Sequence, residues 1–220
     1  MRFDLHVHST YSGDSSNKVE EVLDICTRKG LAGVAIIDHN SLEGFRHALS
    51  LGRHDVLIIP GMEVSSAEGH VLAYNIQEVI PRGLGVAETI DRIRAQGGMA
   101  VAAHPYRMWS GLGEEATLAN DFDAIEVHNG RSTHAHNDRA ADLAVRMERP
   151  FTAGSDSHEP STVGKAYFET SGECSTVEEV LREILSLKGR TGGTHRPRGD
   201  TLSYGVKCIG EWFGRGFKKM

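Results

Sequence analysis

Short apolar runs alternate with amphipathic stretches along most of the chain. The apolar runs predict strands near the N-terminus and at residues 32–37, 56–59, 70–76, 99–103, 123–130, 150–154 and 165–170. Apolar positions at helical spacing predict helices at residues 19–29, 41–51, 85–96, 133–146 and 176–187. Strand–helix alternation through short loops is typical of a parallel sheet, and about seven such units favour a barrel over an open sheet. We therefore predict a single α/β domain built as a barrel.

Four segments depart from this alternation. Residues 70–76 follow a Glu-Gly turn and predict the second strand of a hairpin, and residues 107–120 look irregular to weakly helical. Residues 189–199 form a break rich in Gly, Arg and Thr, and residues 204–217 carry the apolar positions of a last amphipathic helix. We divide the chain into a barrel at residues 1–188 and a basic, amphipathic C-terminal extension at residues 189–220, docked on the barrel.

Composition and charge narrow the possible functions. The 220 residues have a formal net charge of −6, which argues against a nucleic-acid binder of the basic kind. The apolar runs are shorter than the roughly 18 residues of a membrane span, and the N-terminus lacks a secretory pattern, so we expect a cytoplasmic protein without a membrane partner. The three cysteines, Cys26, Cys174 and Cys208, are scattered and odd in number, which predicts neither a disulfide framework nor a cysteine-built zinc site.

Histidine is the outlier in the composition, with 12 copies. His6 and His8 lie in an alternating segment, so both side chains should project from one face of a strand while Leu5 and Val7 pack on the other. Two neighbouring imidazoles suit a metal ion, although an isolated pair of this kind is equally typical of an ordinary strand. The rest of the chain decides between these interpretations.

Further His, Asp and Glu residues fall at or just after the ends of apolar runs. The full set comprises His6, His8, Asp38, His39, Glu63, His104, Glu126, His128, Asp156 and His158. The carboxyl ends of parallel strands meet on one face of a barrel, where sites are built, and chance would scatter such residues. Imidazoles and carboxylates without thiolates suit Zn, Mn or Fe, and they are too many for one tetrahedral ion. The pattern predicts about two to three divalent ions.

The remaining histidines lack this context. We expect most of them at the surface, namely His47, His54, His134, His136 and His195. His70 begins a strand just after the loop that follows Glu63, and we interpret it as a pocket residue, not a metal ligand.

The candidate residues stand in a series of motifs. These are His6-x-His8-Ser9, Asp14, Asp38-His39, Gly61-x-Glu63, His104-Pro105, Glu126-x-His128-Asn129 and Ser155-Asp156-Ser157-His158. Over residues 2 to 188 they resemble the PHP-domain phosphoesterases, the polymerase and histidinol phosphatase superfamily. The resemblance implies a distorted (β/α)7 barrel with a trinuclear metal centre. In that centre one ion would be held by His6, His8, Glu63 and Asp156, a second by Glu63 as bridge with His104 and His128, and the third by Asp14, His39 and His158.

Two departures from the family pattern bear on this resemblance. Asp14 stands where other members carry His, which would alter the metal preference. Larger nucleotide-directed members carry an insertion between the motifs of Glu63 and His104 that helps to cover the substrate. The two motifs of this chain are too close in sequence for such an insertion, so we expect that lid to be absent.

The chemistry of such a centre predicts an enzyme. Clustered divalent ions lower the pKa of a bound water and orient a phosphate, so no protein nucleophile is needed. We predict a metal-dependent phosphoric ester hydrolase that acts on phosphomonoesters of small metabolites or nucleotides. Asp38 and Glu126 lie next to predicted ligands and are expected to orient imidazoles. Arg107 is a candidate for pairing with a phosphate oxygen, and its alternative is a solvated loop residue.

Two other functions stay open. A 5′-end-directed exonuclease on short RNA or DNA would use the same metals and a basic groove, for which Arg190, Arg196 and Arg198 with His195 are the candidate residues. A non-catalytic, metal-bound interaction module would show an incomplete ligand set. The sequence leaves the oligomeric state open.

Overall fold

The strands form one nearly closed barrel in a computed structural model that describes residues 1–108 and 110–197. They are β1 (Arg2–Val7), β2 (Gly33–Ile36), β3 (Leu57–Ile59), β4 (Gly61–Ser65), β5 (His70–Tyr74), β6 (Met99–Ala102), β7 (Ala124–Asn129), β8 (Phe151–Gly154), β9 (Ala166–Glu169) and β10 (Arg190–Gly193). Their order is β3-β2-β1-β9-β8-β7-β6-β5-β4, and His39 bridges to Glu63 between the two ends. The predicted α/β barrel is confirmed. Arg198 and the predicted last helix at 204–217 lie outside the described residues.

Strand direction accounts for the distortion of the barrel. β1, β2, β3, β4, β6, β7 and β8 all run the same way, which matches the prediction of about seven parallel units. β5, between β4 and β6, and β9, between β1 and β8, run in the opposite direction. β5 is the predicted hairpin partner, and it pairs with β4. The sequence prediction does not separate β4 from β3, but Pro60 lies between them and has no N–H to continue a ladder.

Residues 190–193 correct a prediction. The sequence predicts an irregular break at 189–199, but β10 pairs along the whole length of β9 in antiparallel register. Gly189 lies directly against the ring of Phe168, where any Cβ would clash. A glycine that looks like a chain breaker therefore allows a close approach instead. The first part of the predicted extension is thus a strand of the sheet.

The helices are α1 (Val19–Lys29), α2 (Glu43–Ser50), α3 (Val86–Ala95), α4 (Glu114–Leu118), α5 (His134–Arg146) and α6 (Val177–Leu185). α6 begins with a capping box, in which the Thr176 hydroxyl accepts from the backbone of Glu179 and the Glu179 carboxylate accepts from the backbone of Thr176. α1 differs, because its N-cap is Lys18 and has no side-chain cap bond. Asn17, directly before it, is buried and donates to the carbonyl oxygen of His8.

Two apolar clusters fill the protein and leave one end of the barrel polar. The outer cluster joins the strands with α1, α2, α3 and α5. The inner cluster joins side chains at the starts of the strands, such as Phe3, Met99 and Ala124, with Val180 and Ile184 of α6. α6 therefore covers the end of the barrel where the parallel strands begin. Within the described ranges, no helix is long and apolar enough to cross a membrane.

Candidate metal centre

Irregular strand pairing orients the first predicted ligands. The register of β1 against β2 shifts between Asp4 and Val7, and the register of β7 against β8 shifts between Glu126 and His128. Irregularities of this kind re-aim side chains next to active sites. Leu5 therefore packs in the inner cluster and Val7 in the outer cluster, which corrects the prediction that both lie on one face.

His6 and His8 nevertheless meet, as their spacing predicts. Their Nε2 atoms are 3.0 Å apart, and both side chains are buried. Each ring is held from its other nitrogen, because His6 Nδ1 lies 2.9 Å from Glu126 Oε1 and His8 Nδ1 lies 2.9 Å from the Ser12 hydroxyl. A partner on one ring nitrogen orients the other nitrogen towards a metal ion. The two Nε2 atoms are thus placed as a pair of ligand atoms.

Glu63, on β4, is the centre of the cluster. Its buried carboxylate lies near ring nitrogens of His70 at 2.8 Å, His39 and His104 at 3.0 Å, His8 at 3.3 Å and His6 at 3.7 Å. Burial by itself raises the pKa of this carboxyl, but the surrounding imidazoles, first His70 and then His39, hold it well below its usual range. A carboxylate that faces several imidazoles in this way is suited to bridge two ions.

A second carboxylate, Asp14, lies beside His39 and His158. Its Oδ2 is 3.7 Å from His39 Nε2 and 3.2 Å from His158 Nε2. Burial raises the pKa of Asp14, but the neighbouring His158 and His39 rings outweigh this effect and hold the pKa far below the usual range. Burial, assisted by the charge of Arg131, lowers the pKa of His158 to about 3. A neutral His158 keeps a lone pair for a metal ion.

The donors fit a cluster of divalent ions. Three groups have ligand atoms within 4.8 Å of one another: His8, His39 and His158; His6, His8 and Glu63; and His39, Glu63 and His70. Within the described part of the chain, neither ring nitrogen of His39 has a hydrogen-bond partner, although Nδ1 lies 3.0 Å from Glu63. Buried polar atoms without a hydrogen-bond partner are expected where a bound ion takes the place of that partner. Imidazoles with carboxylates and no thiolate suit Zn, Mn or Fe.

Asp156 lies between the histidines of the centre and the side chain of Arg107. The residue follows β8 with a left-handed φ of 51°, and its Oδ1 lies 3.4 Å from His8 Nε2. Its Oδ2 accepts from the guanidinium of Arg107. Burial raises the pKa of Asp156, but the charges around it, led by Arg107, hold this pKa well below its usual range. The side chain of Arg107 is only 8% exposed, so the alternative of a solvated loop residue is wrong.

Arg131 is a site residue that the sequence motifs do not mark. Its Nη1 lies 3.4 Å from Asp156 Oδ1 and 2.8 Å from the ring nitrogens of His158. One feature of the sequence indicates its role, since Arg131 closely follows the strand that carries Glu126 and His128. Long side chains at the carboxyl ends of parallel strands reach the same site as their neighbours.

His70 lies closer to the centre than its sequence position predicts. Its Nδ1 is 2.8 Å from Glu63 Oε1, and it shares a candidate metal group with His39 and Glu63. Burial lowers the pKa of His70 to about 4, against the opposing charge of Glu63, so the ring is neutral near pH 7. His70 is therefore a candidate ligand as well as a pocket residue.

His128 has a different environment from the other predicted ligands. Its Nε2 lies 3.3 Å from the carbonyl oxygen of Thr194, and its ring stacks on that of His195 with centroids 4.4 Å apart. The Asn137 amide donates to His195 Nδ1 at 2.8 Å, so His195, predicted at the surface, packs against the site. Like Asp14, His104 and Asp156, His128 belongs to none of the candidate metal groups found among the described residues. The segment after β10 thus covers this predicted ligand.

The chain resembles known proteins in sequence. Residues 4–148 match the PHP domain, and residues 134–188 match a PHP-associated region. The uncharacterized protein MJ1587 of Methanocaldococcus jannaschii is 36% identical to the chain over 141 residues, which are 59% of this chain and 82% of that protein. The PHP-domain match at residues 4–148 thus includes β1, β2, β4, β6 and β7, which carry or precede most of the predicted ligands.

Solved structures share the fold at low sequence identity. A two-domain protein from Bacteroides vulgatus that contains a predicted PHP-like metal-dependent phosphoesterase has a TM-score of 0.74 at 16% identity, over 88% of this chain and 65% of that chain. The lesion-specific endonuclease PfuEndoQ from Pyrococcus furiosus has a TM-score of 0.68 at 19% identity, over 93% of this chain and 66% of that chain. The chain therefore spans about two thirds of either structure. Since the PHP domain matches most of its length, the chain belongs to the PHP-domain family.

Proposed function

We propose that the protein hydrolyses phosphomonoesters of small metabolites or nucleotides at a centre of about two to three divalent ions, of Zn, Mn or Fe. One ion would be held by His6, His8, Glu63 and Asp156, a second by Glu63, His104 and His128, and a third by Asp14, His39 and His158. The position of Glu63 carries the proposal. Its carboxylate lies 3.0 to 3.3 Å from a ring nitrogen of His8, His39 and His104, which come from all three ligand sets.

The arginines beside the centre supply the binding of phosphate. Divalent ions bound there would activate water and stabilise the attacking and leaving oxygens of the ester. Arg107 and Arg131 lie on Asp156 at the edge of the ligand cluster, and planar guanidinium groups bind phosphate oxygens through paired hydrogen bonds. Holding the phosphate against the centre orients the ester for in-line attack.

The carboxylates Glu126 and Asp38 orient ligands without contacting the substrate. Glu126 Oε1 holds His6 Nδ1 at 2.9 Å. Asp38 reaches His8 indirectly, since its Oδ1 accepts from the Ser12 hydroxyl at 2.6 Å. Both act on ring orientation and on ligand basicity.

A 5′-end-directed exonuclease is the second candidate, because the chain shares its fold with a lesion-specific endonuclease. That function requires a basic groove to hold a polyanion. Arg190, one of the candidate groove residues, is paired with both carboxylate oxygens of Glu169 at 3.1 Å, and the formal charge of the chain is −6. These charges favour a small substrate, and we propose that the protein acts on it in the cytoplasm.

A substrate panel with added Mn²⁺ separates the two candidates. The proposal expects hydrolysis of several phosphomonoesters with modest discrimination, because a site without the lid insertion of larger members anchors the phosphate and contacts the rest of the substrate weakly. It expects little cleavage of 5′-labelled oligonucleotides. A chain that ends at Pro197 keeps β10 and serves as a control for the contribution of residues 198–220. Processive degradation of oligonucleotides by the full chain, lost in the shortened chain, would favour the exonuclease.

A further inference from the structure

Ser12 lies between two predicted metal ligands and a buried carboxylate. Its hydroxyl oxygen is 2.9 Å from His8 Nδ1, 2.6 Å from Asp38 Oδ1 and 3.1 Å from the backbone nitrogen of His39. Asp38 is fully buried and also accepts from the backbone N–H and the hydroxyl of Ser9, each at 2.6 Å. These contacts form one closed hydrogen-bond network beside the centre.

The direction of each hydrogen bond follows from the hydrogens and lone pairs available. A hydroxyl has one hydrogen and two lone pairs. The backbone N–H of His39 can only donate, so it uses one lone pair of Ser12. The Asp38 carboxylate can only accept, so it takes the single hydrogen of Ser12. The second lone pair remains for His8 Nδ1, which must therefore carry a hydrogen.

We infer that Ser12 is a positioning residue that holds His8 in the tautomer with its hydrogen on Nδ1, and so keeps the Nε2 lone pair available for a metal ion. The inference rests on the metal centre of the proposed function and adds a residue to it. His6 needs no such relay, since the Glu126 carboxylate contacts its Nδ1 directly. Ser12, supported by Asp38, does for His8 what Glu126 does for His6.

The same hydroxyl couples ligands assigned to different ions. It contacts the ring of His8 and the backbone of His39, and the centroids of these two rings are 4.4 Å apart. Removing the hydroxyl frees the His8 ring to change tautomer and leaves the His39 N–H without this acceptor. Partners of this kind typically contribute about 10-fold to 100-fold to metal affinity.

Nitrogen NMR of histidine in the metal-free wild-type protein tests the tautomer. At a pH where His8 is neutral, its Nδ1 should give the signal of a protonated nitrogen and its Nε2 that of a bare nitrogen, assigned by comparison with His8→Gln. In Ser12→Ala the hydrogen should shift towards Nε2. A wild-type His8 with its hydrogen on Nε2 would overturn the inference, and that result does not depend on the folding of a variant.

Metal affinity provides a second test, with Zn²⁺ as the probe and a competing chelator as the reference. Ser12→Ala should bind Zn²⁺ about 10-fold to 100-fold more weakly, and Ser12→Thr, which keeps a hydroxyl, should recover most of the loss. Ser15→Ala is the matched control, because the Ser15 hydroxyl donates to the backbone carbonyl of His8 at 3.0 Å and not to its ring. Equal losses in the two alanine variants would overturn the inference. Neither test uses a substrate, so the results of both are independent of the substrate panel that tests the proposed function.

Discussion

The Glu63 side and the His128 side of the centre are built in different ways. On the Glu63 side, His8 and His39 converge on one buried carboxylate at 3.3 Å and 3.0 Å. On the His128 side, the imidazole stacks on His195 and faces a backbone carbonyl. The first side comes from strands and loops of the barrel, whereas the second depends on the segment that follows β10. The residues of the Glu63 side therefore all come from the barrel.

Replacing the central carboxylate should have the largest effect. We expect Glu63→Gln to lower kcat by at least about 100-fold and to release metal, because one charge serves several imidazoles. The effect is measured as the metal content and the phosphomonoester turnover of the variant, and circular dichroism checks that the variant is folded. Glu88→Gln is the matched control, since Glu88 is an exposed helix residue paired with Arg92, and it should keep both metal and activity. Near-normal turnover in Glu63→Gln would mean that the bridging role is wrong.

Arg131 contacts Asp156 and His158, which belong to two different ligand sets. Its loss should have an intermediate effect on activity. Arg131→Gln should lower kcat/KM for a phosphomonoester by about 10-fold to 100-fold, as expected for a hydrogen bond to a charged group, mainly through KM. Its metal content should stay close to that of the wild type. Arg92→Gln, on an exposed helix face, is the control. Loss of metal together with activity would show that Arg131 supports the ligands instead of the substrate.

The His128 side should respond least. Stacking between two rings is worth about 0.5 to 1.5 kcal/mol, so His195→Ala should lower kcat/KM by no more than about 10-fold. The metal bound on the Glu63 side should be retained. Steady-state kinetics and elemental analysis of the same preparation measure both quantities. An effect as large as that of Glu63→Gln would remove the distinction between the two sides.

The sequence predicts features that depend on local geometry. The spacing of His6 and His8 is enough to bring their side chains together, because both occupy one short extended segment. The placement of ligand residues after apolar runs likewise predicts their convergence, since parallel strands end on one face. The carboxylate that holds His6 was also predicted from its position next to a ligand, and Glu126 lies 2.9 Å from that ring.

The sequence does not predict features that depend on tertiary contacts. The approach of His195 to His128 requires β10 to pair with β9, and a Gly-rich and Arg-rich segment gives no strand signal. Arg131 reaches His158 through a long side chain whose direction depends on the packed structure. The irregular register within β1 places Leu5 and Val7 in different clusters, and alternation alone cannot reveal it.

Elemental analysis of the protein, purified without chelators, tests the central claim most directly. The convergence of imidazoles and carboxylates around Glu63 predicts about two to three equivalents of Zn, Mn or Fe per chain, and a clear reduction in Glu63→Gln. Less than about one equivalent, with no recovery when these metals are added back, would contradict a multinuclear centre.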